Sequence, residues 1–193
     1  MADTKLPKIS VVVTCYNCRD YIGDAIRSVA RQTLRDFECV IVDDASTDDS
    51  AAVVRQLLDE LADPRFSLIR LDKNVGQTGA TRRGLAATRA TFVCFLDSDD
   101  LWNDDFLERH LAAHLNETYA VGFTACNARL SAAAPAAIST ANMPEFTKSA
   151  IHNALRQRGS FSVAVVPHAA LQQSSAIFLP SRQSASRHSI YTL

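Results

Sequence analysis

The chain has 193 residues, 47% hydrophobic and 21% charged, which suits one α/β domain with a packed core, alone or with an appendage. Its formal net charge of −1 gives no electrostatic reason to expect DNA, RNA or an anionic membrane as partner. No apolar run approaches the roughly 20 residues of a membrane helix, so no integral membrane segment is expected.

The opening MADTKLPK enters an apolar strand at once, so no leader is expected. Ile9–Thr14 reads as a fully buried strand. Asp20 is the expected N-cap of a helix carrying Tyr21, Ile22, Ala25, Ile26 and Val29 at helical spacing. Phe37–Val42 is the second strand. Ser46 with Asp49 resembles a capping box for a helix that aligns Val53, Val54, Leu57, Leu58 and Leu61. Phe66–Leu71 is the third strand; a loop with Gly76 and Gly79 then leads into a helix running to about Ala90. Thr91–Leu96, an amphipathic helix over Asp104–Asn116 and a fifth strand over Tyr119–Ala125 follow. Beyond Leu130 the regularity fades, and SRQSASRHSIYTL lacks an apolar period.

Alternating strands and helices predict stacked βα units, with the C-terminal ends of parallel strands on one edge, where open α/β sheets bind ligands. Three acid-rich loops fall at such ends: Asp43-Asp44, the loop from Asp72, and Asp97 to Asp100. Carboxylates this close repel one another unless a cation lies between them. Mg²⁺ or Mn²⁺ with oxygen ligands would fit and could grip a diphosphate. The plainer reading of the same acids is a helix start favoured by the N-terminal dipole.

In this order and spacing, ISVVVTCYN, AIRSVARQTLRDFECVIVDDASTDDS, NVGQTGATRRGLAAT and FVCFLDSDDLW resemble an inverting GT-A glycosyltransferase of family 2. The resemblance covers about residues 8 to 125. It implies a Rossmann-like nucleotide-binding sandwich with a mostly parallel central sheet and an incomplete C-terminal acceptor half. The implied organisation is a donor-binding domain over 1–130, a partial acceptor-side region over 131–180 and an irregular tail over 181–193. The implied reaction moves a sugar, with inversion, from a nucleotide-diphosphate sugar (UDP-sugar by default) to a saccharide or lipid-linked hydroxyl in cell-surface polysaccharide synthesis. A non-catalytic nucleotide-sugar-binding remnant is the alternative.

Carried over by position, the resemblance places Thr14 and Asp44 at the nucleotide base, with Asp43 beside them; Tyr16, by its own chemistry, is a candidate to frame the base. Asp97 falls at the ribose and diphosphate, and Asp99 becomes the ligand of Mn²⁺ or Mg²⁺. Arg82 stands where the family usually has Asn, and either pairs with phosphate or faces solvent. The family's general base is a carboxylate in the second half, and this chain has no Asp or Glu from Phe146 to Leu193. Only Glu145 remains as a weak substitute. A truncated or frame-shifted chain is the expectation, with apolar surface around Val163–Val166 and Ile177–Leu179 poorly covered.

Cys15 and Cys18 form a Cys-x-x-Cys pair, but no second pair follows to complete a zinc site. With five cysteines and no disulfide framework, reduced thiols are expected, in the cytoplasm or at the inner face of its membrane. Trp102 is expected to anchor the helix after the acidic loop. His110 and His114, four apart, are expected on an exposed helix face. A phosphoacceptor receiver and a haloacid-type phosphatase fit less well, since both need acids after the first strand, which here ends in Thr14.

Overall fold

The computed structural model describes residues 6–117, 121, 123–125, 127–130, 164–169 and 189–192. Runs of β-branched and aromatic residues form β1 (Ile9–Cys15), β2 (Phe37–Asp43), β3 (Phe66–Arg70) and β4 (Phe92–Asp97). These four are parallel and lie side by side in the order β3-β2-β1-β4. Between them run α1 (Ile22–Ala30), α2 (Ser50–Leu61) and α3 (Gly76–Ala87). After β4 come β5 (Asp100–Trp102), α4 (Phe106–Asn116), β6 (Thr124–Ala125), β7 (Asn127–Leu130), β8 (Ala164–Pro167) and β9 (Ser189–Thr192). β8 adds antiparallel to β4 and β6 antiparallel to β8, giving a mixed six-stranded sheet; β5, β9 and β7 form a second sheet.

Alternation along the strands divides the core. Val11, Val13 and Cys15 of β1 join Cys39, Ile41, Cys94 and Leu96 under the apolar stripes of α1, α2 and α4. Val12 faces the other way, with Val93, Phe95 and Leu85 of α3, and Val40 and Val42 meet Ala80 of α3. Helix α3 carries little apolar bulk and reaches the sheet through its small residues. A Cβ on Gly84 would lie 3.0 Å from Val42 Cγ2 and closer still to Val12 Cγ1, so only glycine allows this approach.

Several local expectations are corrected. Asp20 does not cap α1. Tyr21 stands at that position without a side-chain cap, and the Cys18 carbonyl accepts from the Tyr21 and Ile22 amides, 3.0 Å each. Ser46 and Asp49 form no capping box. Asp48 Oδ1 accepts from the Ser50 amide at 2.9 Å, while Ser46 Oγ is taken by the Asn17 amide at 3.1 Å. Helix α3 stops at Ala87, where Thr88 turns extended and its hydroxyl donates to the Leu85 carbonyl.

His110 and His114 are not on an exposed face. His110 is fully buried, its Nδ1 2.6 Å from Thr124 Oγ1, and His114 Nε2 donates to the Val165 carbonyl at 2.9 Å. The partners come from β6 and β8, which a helix-by-helix reading cannot supply. Val165 is fully buried in β8, so that part of the expected uncovered surface is covered. The irregular tail expected over 181–193 is corrected at Ser189–Thr192, a strand paired with β5 and β7, and the rest of it lies outside the described residues. Trp102 anchors α4 as expected, buried and stacked on Phe106 at 4.3 Å. Ile177–Leu179 and most of Tyr119–Ala125 lie outside the described residues, as do both bounds of the expected region 131–180 and all of it but residues 164–169.

Candidate functional site

The strand register brings the acidic ends to one level. Thr14 pairs with Val42 on one side and Asp97 on the other, Cys15 with Asp43, and Asp43 with Arg70. The chain leaves β1 toward β2 and later returns on the opposite flank as β4, so the topological switch lies between Thr14 and Asp97. Both residues are half-buried and share the face covered by α3.

Two loops shape the rim. Asn17, at φ 51°, occupies the left-handed region that asparagine tolerates better than most residues. Its Oδ1 accepts from the Thr47 amide at 2.8 Å and the Asp48 amide at 3.3 Å. The Cys18 amide donates to Ser50 Oγ at 2.8 Å. The β1–α1 turn and the β2–α2 loop are thus one laced unit, which leaves Tyr16 40% exposed above the crevice.

Asp44 is buried. Its amide donates to the Cys15 carbonyl at 2.8 Å, and its Oδ1 accepts from the Val75 amide, also at 2.8 Å. It therefore caps nothing in α2; it ties the start of α3 to the sheet edge. Asp43 is fully buried, and Arg70 Nε lies 3.4 Å from its Oδ2. Alternation sets Asp43 with Cys15 and Arg70 on the face opposite Thr14 and Asp97. Arg82 is exposed on α3 and makes no ion pair among the described residues.

At the far side, Asp97 Oδ1 accepts from Gln77 Nε2 at 3.0 Å. Burial, and then the charges of Asp100 and Asp99, push the Asp97 carboxyl up to about 7. Asp99 is half-buried and Asp100 buried. This crowding fits a divalent cation, whose charge would offset the repulsion. Among the described residues no three His, Cys, Asp or Glu side chains converge into a cage of protein ligands. A cation here would be held by Asp97 or Asp99 and complete its shell with water and ligand oxygens, as Mg²⁺ and Mn²⁺ do.

Cys15 and Cys18 correct the expectation of reduced thiols: their sulfurs are joined as a disulfide within the rim turn. Cys39 and Cys94 are buried, and burial pushes both thiols well up, as expected of core residues. Glu145 lies outside the described residues. Asn17, Arg70, Val75 and Gln77 were not singled out from the sequence. Only the Tyr-Asn pair in the turn hinted at the first; the others depend on tertiary contacts.

Residues 10–129 match the family described as Glycosyl transferase family 2. The chain belongs to that family. TuaG of Bacillus subtilis, a putative teichuronic acid biosynthesis glycosyltransferase, is 38% identical over 118 residues, 61% of this chain and 46% of TuaG. The solved structure of S. aureus TarS 1–349 in complex with UDP is similar with a TM-score of 0.51 at 33% identity, over 56% of this chain and 32% of that one. The mannosyltransferase PcManGT from Pyrobaculum calidifontis, in complex with GDP-Man and Mn²⁺, has a TM-score of 0.62 over 85% of this chain and 45% of its own. At 22% identity that last likeness concerns the fold, which is the GT-A, Rossmann-like fold with a mostly parallel mixed sheet. The family 2 chain spans less than half the length of each of these relatives. No helix among its described residues is long and apolar enough to cross a membrane.

Proposed function

We propose that this family 2 chain binds a nucleotide-diphosphate sugar at the crevice between β1 and β4, and that its protein transfers the sugar to an acceptor hydroxyl with inversion. The observation that carries the reading is the alignment of Thr14 and Asp97 across the switch point, with Asp44 and the start of α3 closing it. Thr14 and the free oxygen of Asp44 face the base, under Tyr16. Asp97 and Asp99 take the ribose and the cation-bound diphosphate, and Asp43 supports the rim through Arg70. Arg82 reaches the phosphates only by swinging in from solvent.

A UDP-sugar is the default donor, supported by the UDP in the TarS structure. A divalent cation, Mn²⁺ or Mg²⁺, is supported by the crowding of Asp97, Asp99 and Asp100 and accords with the Mn²⁺ in the PcManGT structure. When bound, it would neutralise the diphosphate charge that builds as the sugar departs. The TuaG name supports a surface polysaccharide as the product class.

A second reading, for residues 1–193 taken by themselves, is nucleotide-sugar binding without transfer, favoured by one observation: residues 146–193 hold no Asp or Glu to act as a base. Calorimetric titration of UDP and GDP, with Mn²⁺ and with chelator, tests the shared part. Binding that needs the cation is expected, and equal binding with chelator removes Asp97 and Asp99 from the role given them. Asp44→Asn keeps an acceptor for the Val75 amide while altering the face offered to the base. It is expected to weaken binding about tenfold without lowering the melting temperature. Turnover of UDP-sugars with an acceptor panel then separates transferase from binder.

A further inference from the structure

Between Asp72 and Gly79 the chain crosses the mouth of the crevice. Gly84 presses α3 onto Val12 and Val42, which fixes the helix but leaves its first turn to be set by other contacts. Two side chains of the sheet edge set it. The Val75 backbone amide donates to Asp44 Oδ1 at 2.8 Å, and one residue beyond Gly76 the side-chain carboxamide Nε2 of Gln77 donates to Asp97 Oδ1 at 3.0 Å. Gly76 makes the bend at φ +77°, a conformation that favours glycine, and its own amide is held by Asn74 Oδ1 at 3.0 Å. The segment is a strap fastened at both banks of the switch point, with Thr14 between the fastenings.

The chemistry of the second fastening matters. A lysine or arginine on Asp97 would compete with a bound cation for the carboxylate's charge. A carboxamide orients the group while bringing no net charge. One oxygen of Asp97 is fixed by Gln77, which leaves the other without that bond. Gln77 is itself exposed.

From this geometry we infer that Gln77 is a positioning residue for donor binding, which orients Asp97 toward the cation and diphosphate while bringing no charge of its own. The inference rests on the donor-site reading above and adds a residue to it. Gln77 acts through Asp97 and touches neither the base nor the sugar.

The test compares wild type with Gln77→Ala, using whichever of UDP and GDP the wild type binds, together with the matching nucleoside, which lacks the diphosphate. The Mn²⁺ concentration for half-maximal nucleotide binding is expected to rise about tenfold in the variant, since an oriented charged hydrogen bond is lost. Nucleoside affinity and the melting temperature without ligand should stay unchanged. An unaltered Mn²⁺ midpoint overturns the inference alone, and so does an equal loss of nucleoside and nucleotide binding, which would make the strap merely structural. If the wild type binds neither UDP nor GDP, the donor-site reading falls and takes this inference with it. Gln77→Glu gives a second measure: a charge placed beside Asp97 should alter the Mn²⁺ midpoint and again spare the nucleoside.

Discussion

The side-chain oxygen of Asn17 accepts a hydrogen bond from the Thr47 amide at 2.8 Å, joining two loops that lie 30 positions apart in the chain. This contact sets the height of Tyr16 and the path of the backbone leading into Asp44's neighbours. Asn17→Ala removes the acceptor and puts an unfavourable residue at φ 51°. The expected cost is about 2–3 kcal/mol, measured from urea denaturation midpoints. Asn17→Gly tolerates the backbone angle and should lose only about 1–2 kcal/mol. Equal losses in the two variants would mean that the backbone angle is not strained.

The Asp97 carboxyl is raised to about 7 in the fold from an ordinary 3.8. The folded protein therefore holds a proton that the unfolded chain releases. The stability this supplies is complete below 3.8 and is lost as the pH rises through 7. A cation must displace that proton. Mn²⁺-dependent nucleotide binding should weaken by roughly tenfold per pH unit below 7, while nucleoside binding stays flat. Titrations at pH 5.5–8 (roughly the range over which the slope develops) read this directly.

Gly84→Ala sets a methyl group against Val12 and Val42, both inside the sheet and unable to yield cheaply. A destabilisation of about 1–3 kcal/mol is expected in thermal melts. Since α3 would lift from the sheet, nucleotide affinity should fall with it. An alanine variant as stable as wild type would show that the helix can ride outward at no cost.

His110 is held neutral. Burial first, and then the neighbouring His114, lower it from 6.5 to about 4. The unfolded chain binds more protons between those values, so this stabilisation is full above 6.5 and drains as the pH falls toward 4. The loss should approach about 3 kcal/mol. His110→Gln, which can keep a bond to Thr124, should flatten that part of the stability profile measured by denaturant titration at each pH.

The parallel frame was legible because Ile9–Cys15, Phe37–Asp43 and Phe92–Asp97 are nearly continuous apolar runs, as strands covered on both faces must be. The crevice was legible because its carboxylates, Asp44, Asp97 and Asp99, sit at the ends of such runs. The rim was not. Asp20 and Ser46 are residue types that cap helices, and local rules assign them to the nearest helix start. In the fold, the backbone of Cys18 closes one turn and Asn17 recruits Ser46 from the other loop. His110 and His114 had the spacing of an exposed metal pair, but their partners Thr124 and Val165 arrive from strands that α4 alone does not reveal. Gly84 did leave a trace in the sequence, since a glycine inside a helix costs about 1 kcal/mol and calls for a reason. Gln77 left none: an exposed glutamine in a first turn is ordinary until its carboxylate is seen.

The antiparallel docking of β8 on β4 bears on how the polypeptide acquires its shape as it is made. Val93 pairs with Val166, which leaves the ribosome long after it. During that interval β1, β2 and β3 can assemble from near neighbours, while the outer edge of β4 presents unpaired amides and carbonyls beside Phe92 and Val93. The crevice would take form on this nascent chain before its flank is closed. Late arrival of β8 is then the slow, long-range event, and the interval before it is when the molecule is most open to pairing with a second copy.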